Sequence, residues 1–172
     1  RSGVTISNFI YLLSIILLAG IVLRLHYINQ PMRLDESATY SVYLSGDFVR
    51  AISDYGFPNN HVLHTALSWI FVRIFGLEIY TIRMTAFLAG IFMVVGAYLL
   101  ARKLFDKNTA LLGTFFTATS SYLIEYSTNA RGYTLMAAFT LLMLLFAHDV
   151  VYNNKHFFAF SIVTFLGFLT LP

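Results

Sequence analysis

A chain of 172 residues that is 58% hydrophobic and only 11% charged, with a mean hydropathy of +0.73, has the composition of a membrane protein and not of a soluble domain. Its net charge of +3 and its lack of any basic run longer than Arg102-Lys103 give no support to nucleic-acid binding. With no cysteine it has no disulfide, thiol nucleophile or thiolate metal site.

Apolar runs of about 17 to 25 residues are long enough to cross a hydrocarbon core about 30 Å thick. The runs at 4–23, 84–101, 108–124, 132–147 and 156–171 reach or approach that length without an Asp, Glu or Lys. They are apolar on every face, whereas strands of a membrane barrel alternate, so they are read as helices. The expected fold is therefore all-α: a polytopic helical membrane protein with about five transmembrane helices, over about 4–26, 82–104, 108–126, 132–152 and 156–172. The chain opens on Arg1 and closes on Pro172 straight after an apolar run, which reads as a single N-terminal transmembrane module of a longer protein.

The first run carries no small-x-small cleavage pattern, so it reads as a retained anchor, with Arg24 and His26 marking its exit. An outer loop with interfacial helices follows, over 29–81. Pro31 breaks the helix; a short helix is expected over 36–44 with Asp35 as N-cap, and Gly46 ends it. A second amphipathic helix is expected over 48–55 and a turn over 56–60. The run 61–75, interrupted by His64 and Arg73, reads as a helix lying along the membrane surface, with a true crossing as the alternative. Small-xxx-small pairs at Ala86 and Gly90, Ala97 and Ala101, and Gly113 and Thr117 suit close helix approach. If 61–75 does not cross, Lys103, Lys107 and Lys155 share one side with Arg1, which the positive-inside rule makes cytoplasmic. Arg24, Arg33, Arg50, Arg73, Arg83 and Arg131 then lie outside, balanced by Asp35, Glu36, Asp47, Asp54, Glu78 and Glu125.

The pair Asp35-Glu36 stands out, because ionisable groups beside hydrocarbon are expensive to keep and mark function by default. Asp35 suits a general base or acceptor-orienting group, with Glu36 supporting it or pairing with Arg33. Read blandly, Asp35 is a cap and Glu36 a partner of the helix dipole, and the two readings are compatible. His61 and His64, three apart, share a helical face; they are a metal pair lacking a fixed third ligand, hydrogen-bonding groups in a polar cleft, or interfacial packing. Arg83 and Arg131 either snorkel at helix ends or stabilise a departing phosphate. Tyr40, Tyr43, Tyr55, Tyr80, Tyr122, Tyr126 and Tyr133 make an aromatic belt that would equally suit a sugar.

In their order, several short motifs carry a resemblance. The acidic pair in the first outer loop, Asn59-Asn60-His61-Val62-Leu63-His64, Arg83 ahead of the next span, the inner turn Arg102-Lys103-Leu104-Phe105, and Tyr126-Ser127-Thr128-Asn129-Ala130-Arg131-Gly132-Tyr133 together resemble the N-terminal module of the GT-C membrane glycosyltransferases. The subgroup is the one holding protein O-mannosyltransferases and aminoarabinose transferases. The resemblance implies an inverting transferase that moves a sugar from a polyprenyl-phosphate donor to an acceptor on the extracytoplasmic side. Asp35 would be base or acceptor ligand, Glu36 the second catalytic acid, and His61, His64, Arg83, Arg131 and Tyr133 substrate-binding. Some relatives bind a divalent cation, Mg or Mn, through an acid where this chain has Asn129. Asp35 and Asn129 are the candidate ligands here, and the departure puts metal dependence in question.

The partners implied are the polyprenyl-phosphate-sugar donor and the lipid bilayer, with no nucleic acid. The implied location is a bacterial or archaeal plasma membrane, multi-pass, with the N-terminus inside. The rival readings are a fragment of a lipid or sugar transporter or flippase, and a non-catalytic membrane assembly subunit.

Overall fold

The computed structural model describes residues 6–54, 56 and 60–171, with only the backbone of Ile6 and Ser7. The ends of two expected elements, at Val4-Thr5 and at Tyr55, lie outside the described residues, as do Arg1, Phe57-Pro58-Asn59 of the expected turn, and Pro172. Among the described residues every regular element is helical, as the apolar runs require.

Among the described residues three helices are long and apolar enough to cross a membrane: α1 (Ile6–Tyr27), α5 (Ile79–Leu104) and α8 (Tyr133–Asn153). The expected span over 108–126 is divided instead into α6 (Lys107–Thr119) and α7 (Ser121–Ser127). Ser120 sits between them in a non-helical conformation, and its hydroxyl accepts from the Leu123 N–H, which restarts the chain as a new helix. The last apolar run forms the 14-residue α9 (Phe157–Thr170), about 21 Å long at the usual helical rise. Its connection to α8 turns through Asn154 and His156, both with positive φ.

The outer loop holds three shorter helices: α2 (Leu34–Ala38), α3 (Phe48–Ser53) and α4 (Val62–Phe75). Asp35 is not the N-cap. Helix α2 begins two residues earlier than expected, with Arg33 extended at the cap position and its N–H donating to Glu36 Oε2 at 3.1 Å. Asp35 is thereby freed from capping. Beyond Ala38 the chain widens into a π-helical turn over Thr39–Leu44, closed by Ser45 N–H to Tyr40 O at 3.2 Å. Asp47 caps α3 through the Arg50 N–H at 2.9 Å, and Gly76, at φ 90°, ends α4 in a conformation that needs glycine.

Helix α5 is the centre of the bundle and packs against α1, α4, α6, α7 and α8. At Gly90 the approach is closest: a Cβ there would lie 2.6 Å from Ser127 Cβ and 2.9 Å from Arg24 Nε. Arg24, in the last turn of α1, is fully buried inside the bundle. Its guanidinium donates to Gly20 O within α1 and to Ala118 O, both at 3.0 Å, and to Ser127 Oγ at 3.2 Å, so it covers the Ala118 carbonyl at the end of α6.

Both ends of α4 are tied to one end of this bundle. Its first residues pack on Gly132, where a Cβ would lie 2.9 Å from His61 Cβ. Its last turns are held by Trp69 Nε1 and Arg73 Nη2, which donate to Gly46 O at 3.1 and 2.6 Å. Between these points Val72 joins Leu44, Ile82 and Ala130 in a buried apolar cluster. The π-helical turn, α4, the start of α5 and the 129–132 loop are thereby one packed unit.

Candidate active site

The site is built on Glu36. Its side chain is fully buried and forms a bidentate pair with the equally buried Arg83, Nε to Oε1 at 2.7 Å and Nη2 to Oε2 at 2.6 Å. Oε1 also accepts the Ala130 N–H at 2.7 Å. With the Arg33 N–H, that makes four donors on two oxygens. Arg83 uses its remaining donors on the carbonyls of Ile28 and Gln30 at 2.6 and 2.8 Å. A base needs an open lone pair and access, and Glu36 has neither. The expected Glu36 to Arg33 side-chain pairing is absent, because Arg33 Nη1 reaches Glu125 Oε1 at 2.6 Å.

One residue earlier the same short helix points Asp35 outward, 61% exposed, with Oδ2 3.8 Å from Arg131 Nη1. Arg131 is itself only 3% exposed, and its Nη2 donates to Tyr133 Oη at 3.2 Å. Glu36 locks α2 to the peptide of Ala130, the residue before Arg131, so one buried carboxylate sets the separation of an open carboxylate and a guanidinium. At the Asp35-Arg131 pair, the mouth of the site, an exposed acid lies beside a nearly buried cation.

His61 and His64 are buried beside this pair. His61 meets the ring of Tyr133 edge-on at 4.9 Å and lies over Gly132, where any side chain would collide with the imidazole. Burial and the nearby Arg131 charge lower the His61 pKa to about 4, against a smaller opposing effect of Asp35. Burial, then His61, then Arg131 lower that of His64 to about 3. Both imidazoles are therefore neutral at physiological pH.

A ladder of rings leads away from the mouth, with Tyr133 to Tyr126 at 5.4 Å and Tyr126 to Tyr122 at 5.0 Å. On its other side Tyr133 ends an open apolar groove of about 510 Å3, lined also by Ala97, Thr117, Leu123 and Met136. Among the described residues no three His, Cys, Asp or Glu side chains converge to hold a metal ion. The cation already beside Asp35 is Arg131. Asn129 is uncharged, so with Asp35 it supplies a single anionic ligand, and that carboxylate already faces the guanidinium.

The structure thus brings Asp35, Glu36, His61, His64, Arg83, Arg131 and Tyr133 into one region, with Glu36 and Arg83 behind the surface and not on it. Sequence reasoning missed the peptide N–H of Ala130 and the close approach at Gly132. A backbone donor leaves no trace in residue identity; the glycine between Arg131 and Tyr133 was the available signal.

A sequence model of the dolichyl-phosphate-mannose-protein mannosyltransferase family matches residues 60–171. The chain belongs to that family. Comparison with curated proteins and with solved structures gives no match. Membership of the mannosyltransferase family carries the coarse activity, a membrane glycosyl transfer of the GT-C kind. The span matched to the mannosyltransferases holds both histidines, Arg83 and Arg131. Asp35 and Glu36 precede it; Glu36 is bound to it through Arg83 and Ala130, and Asp35 lies beside Arg131.

Proposed function

We propose that this chain forms the acceptor-activating part of an inverting glycosyltransferase that takes a sugar from a polyprenyl-phosphate donor on the extracytoplasmic face. The observation that carries the reading is the contrast within one short helix: Glu36 is sealed and fully bonded, while Asp35 is open and held beside a buried Arg131. Asp35 accepts the proton of the acceptor hydroxyl as its oxygen attacks the anomeric carbon. The bond from that carbon to the phosphate oxygen breaks, and the polyprenyl phosphate leaves with the electron pair. A free hydroxyl is a weak nucleophile near neutral pH, and a positioned base is worth about 100 to 10,000-fold.

Arg131, largely shielded from water, is placed to stabilise the anion that develops on the leaving phosphate, where a water-poor setting strengthens the interaction. Glu36 and Arg83 act as positioning residues that fix Asp35 relative to Arg131. Family membership supports this reading over a transporter fragment or an assembly subunit, and so does the gathering of acids and arginines at one end of the bundle. In the full-length protein Asp35→Asn should lower transfer by about 100-fold or more with normal expression and membrane insertion. Wild-type turnover in that variant refutes the assignment.

A further inference from the structure

Beside the Asp35-Arg131 mouth lies a group of buried polar atoms that the transfer chemistry above leaves unused. His61 and His64 are 5% and 0% exposed, and none of their ring nitrogens has a hydrogen-bond partner among the described residues. Asn129 Oδ1 and Thr134 Oγ1, on the segment against which His61 packs, are in the same condition. Folded proteins keep buried polar groups bonded, and each exception calls for an explanation. Several such atoms on adjoining segments at the edge of a reaction centre point to a ligand.

The donor set defines its chemistry. Each neutral imidazole offers one N–H donor and one acceptor, and the Asn129 carbonyl oxygen and the Thr134 hydroxyl add acceptor capacity. A phosphate only accepts and an ammonium only donates, so either would leave half of these groups unmatched. A divalent cation would face the Arg131 guanidinium with no further anionic ligand. Alcohol hydroxyls both donate and accept, and a sugar ring carries several at the spacing of neighbouring side chains.

Resting on the glycosyl-transfer reading above, we propose that His61 and His64, with Asn129, recognise the ring hydroxyls of the transferred sugar and select a neutral, fully hydroxylated donor. His61 is the outer contact, and His64, three residues on along the same helical face, is the deeper one. Tyr133, 42% exposed and edge-on to His61, is the ring that the sugar displaces to reach them. The absence of a side chain at Gly132 gives the His61 ring its place.

The test uses full-length protein in lipid, with polyprenyl-phosphate mannose and its singly deoxygenated analogues. In the wild type, deleting one of the recognised hydroxyls should lower kcat/KM by about 10 to 100-fold. In His64→Ala that penalty should vanish, with parent and analogue turned over alike, and His64→Gln, which keeps a donor and an acceptor, should restore part of it. The same series is run as competition for donor binding, so a chain that binds without transferring would sink the Asp35 assignment yet still test this one. If His61→Ala and His64→Ala depress parent and analogues in equal proportion, in rate and in binding, the histidines are packing groups or hold only water. That result overturns the proposal.

Discussion

Glu36 shows how much depends on which way one side chain points. Its four N–H partners come from three stretches of chain, at Arg33, Arg83 and Ala130, so neutralising it strands the Arg83 guanidinium in a dry interior. Breaking a buried pair from one side costs about 3 to 5 kcal/mol, because the remaining charge has no water to return to. Glu36→Gln should therefore lower the thermal midpoint and the yield of folded protein, whereas Asp35→Asn should change neither. If Glu36→Gln unfolds at the wild-type temperature and loses only turnover, its role is chemical and the positioning account is wrong. The sequence marked both carboxylates, since adjacent acids beside an apolar run are conspicuous. It did not distinguish them, because neighbours on a helix point about 100° apart and the decisive partner lies 47 positions away.

Helices add constraints of their own. The run 108–124 is continuous in hydropathy, yet it is two helices, and the break coincides with the capping of α6 carbonyls by Arg24. Length and composition made α1, α5 and α8 legible; the break was not, because Thr119, Ser120 and Ser121 are each tolerated within helices and the cation that completes the break comes from α1. The small-residue pairs divide in the same way. Gly90 is pressed against Ser127 and Arg24, while a Cβ at Gly113 would meet nothing within 4 Å, so one glycine is a packing requirement and the other is not. Gly90→Ala should destabilise the bundle by about 1 to 3 kcal/mol through overpacking. Gly113→Ala should be neutral or stabilising by up to about 1 kcal/mol from helix propensity, both read from thermal unfolding in detergent. Equal effects would mean that α5 does not approach α7 as closely as described.

At the scale of the whole molecule the charges separate by kind. Arg102, Lys103, Lys107 and Lys155 gather where α5 meets α6 and α8 meets α9, with Lys103 paired to Asp149 across α5 and α8. The acid-arginine pairs of the site occupy the other end. Sidedness then turns on α4, since a crossing there would place the loop before it and the loop after it in opposite compartments. Both ends of α4 are tied to the site end of the bundle, through Gly132 and through Gly46, and its 14 residues give only about 21 Å against the roughly 30 Å needed. Because the chain has no cysteine of its own, single cysteines report this directly. Ser45→Cys, before α4, and Glu78→Cys, after it, are both at exposed positions and should react with a membrane-impermeant maleimide from the outer face of intact cells. Lys155→Cys should react only after permeabilisation. Protection of Glu78→Cys until permeabilisation, with Lys155→Cys reacting from outside, would mean that α4 crosses, and would carry Arg83 and the helix that holds it away from the compartment of Asp35.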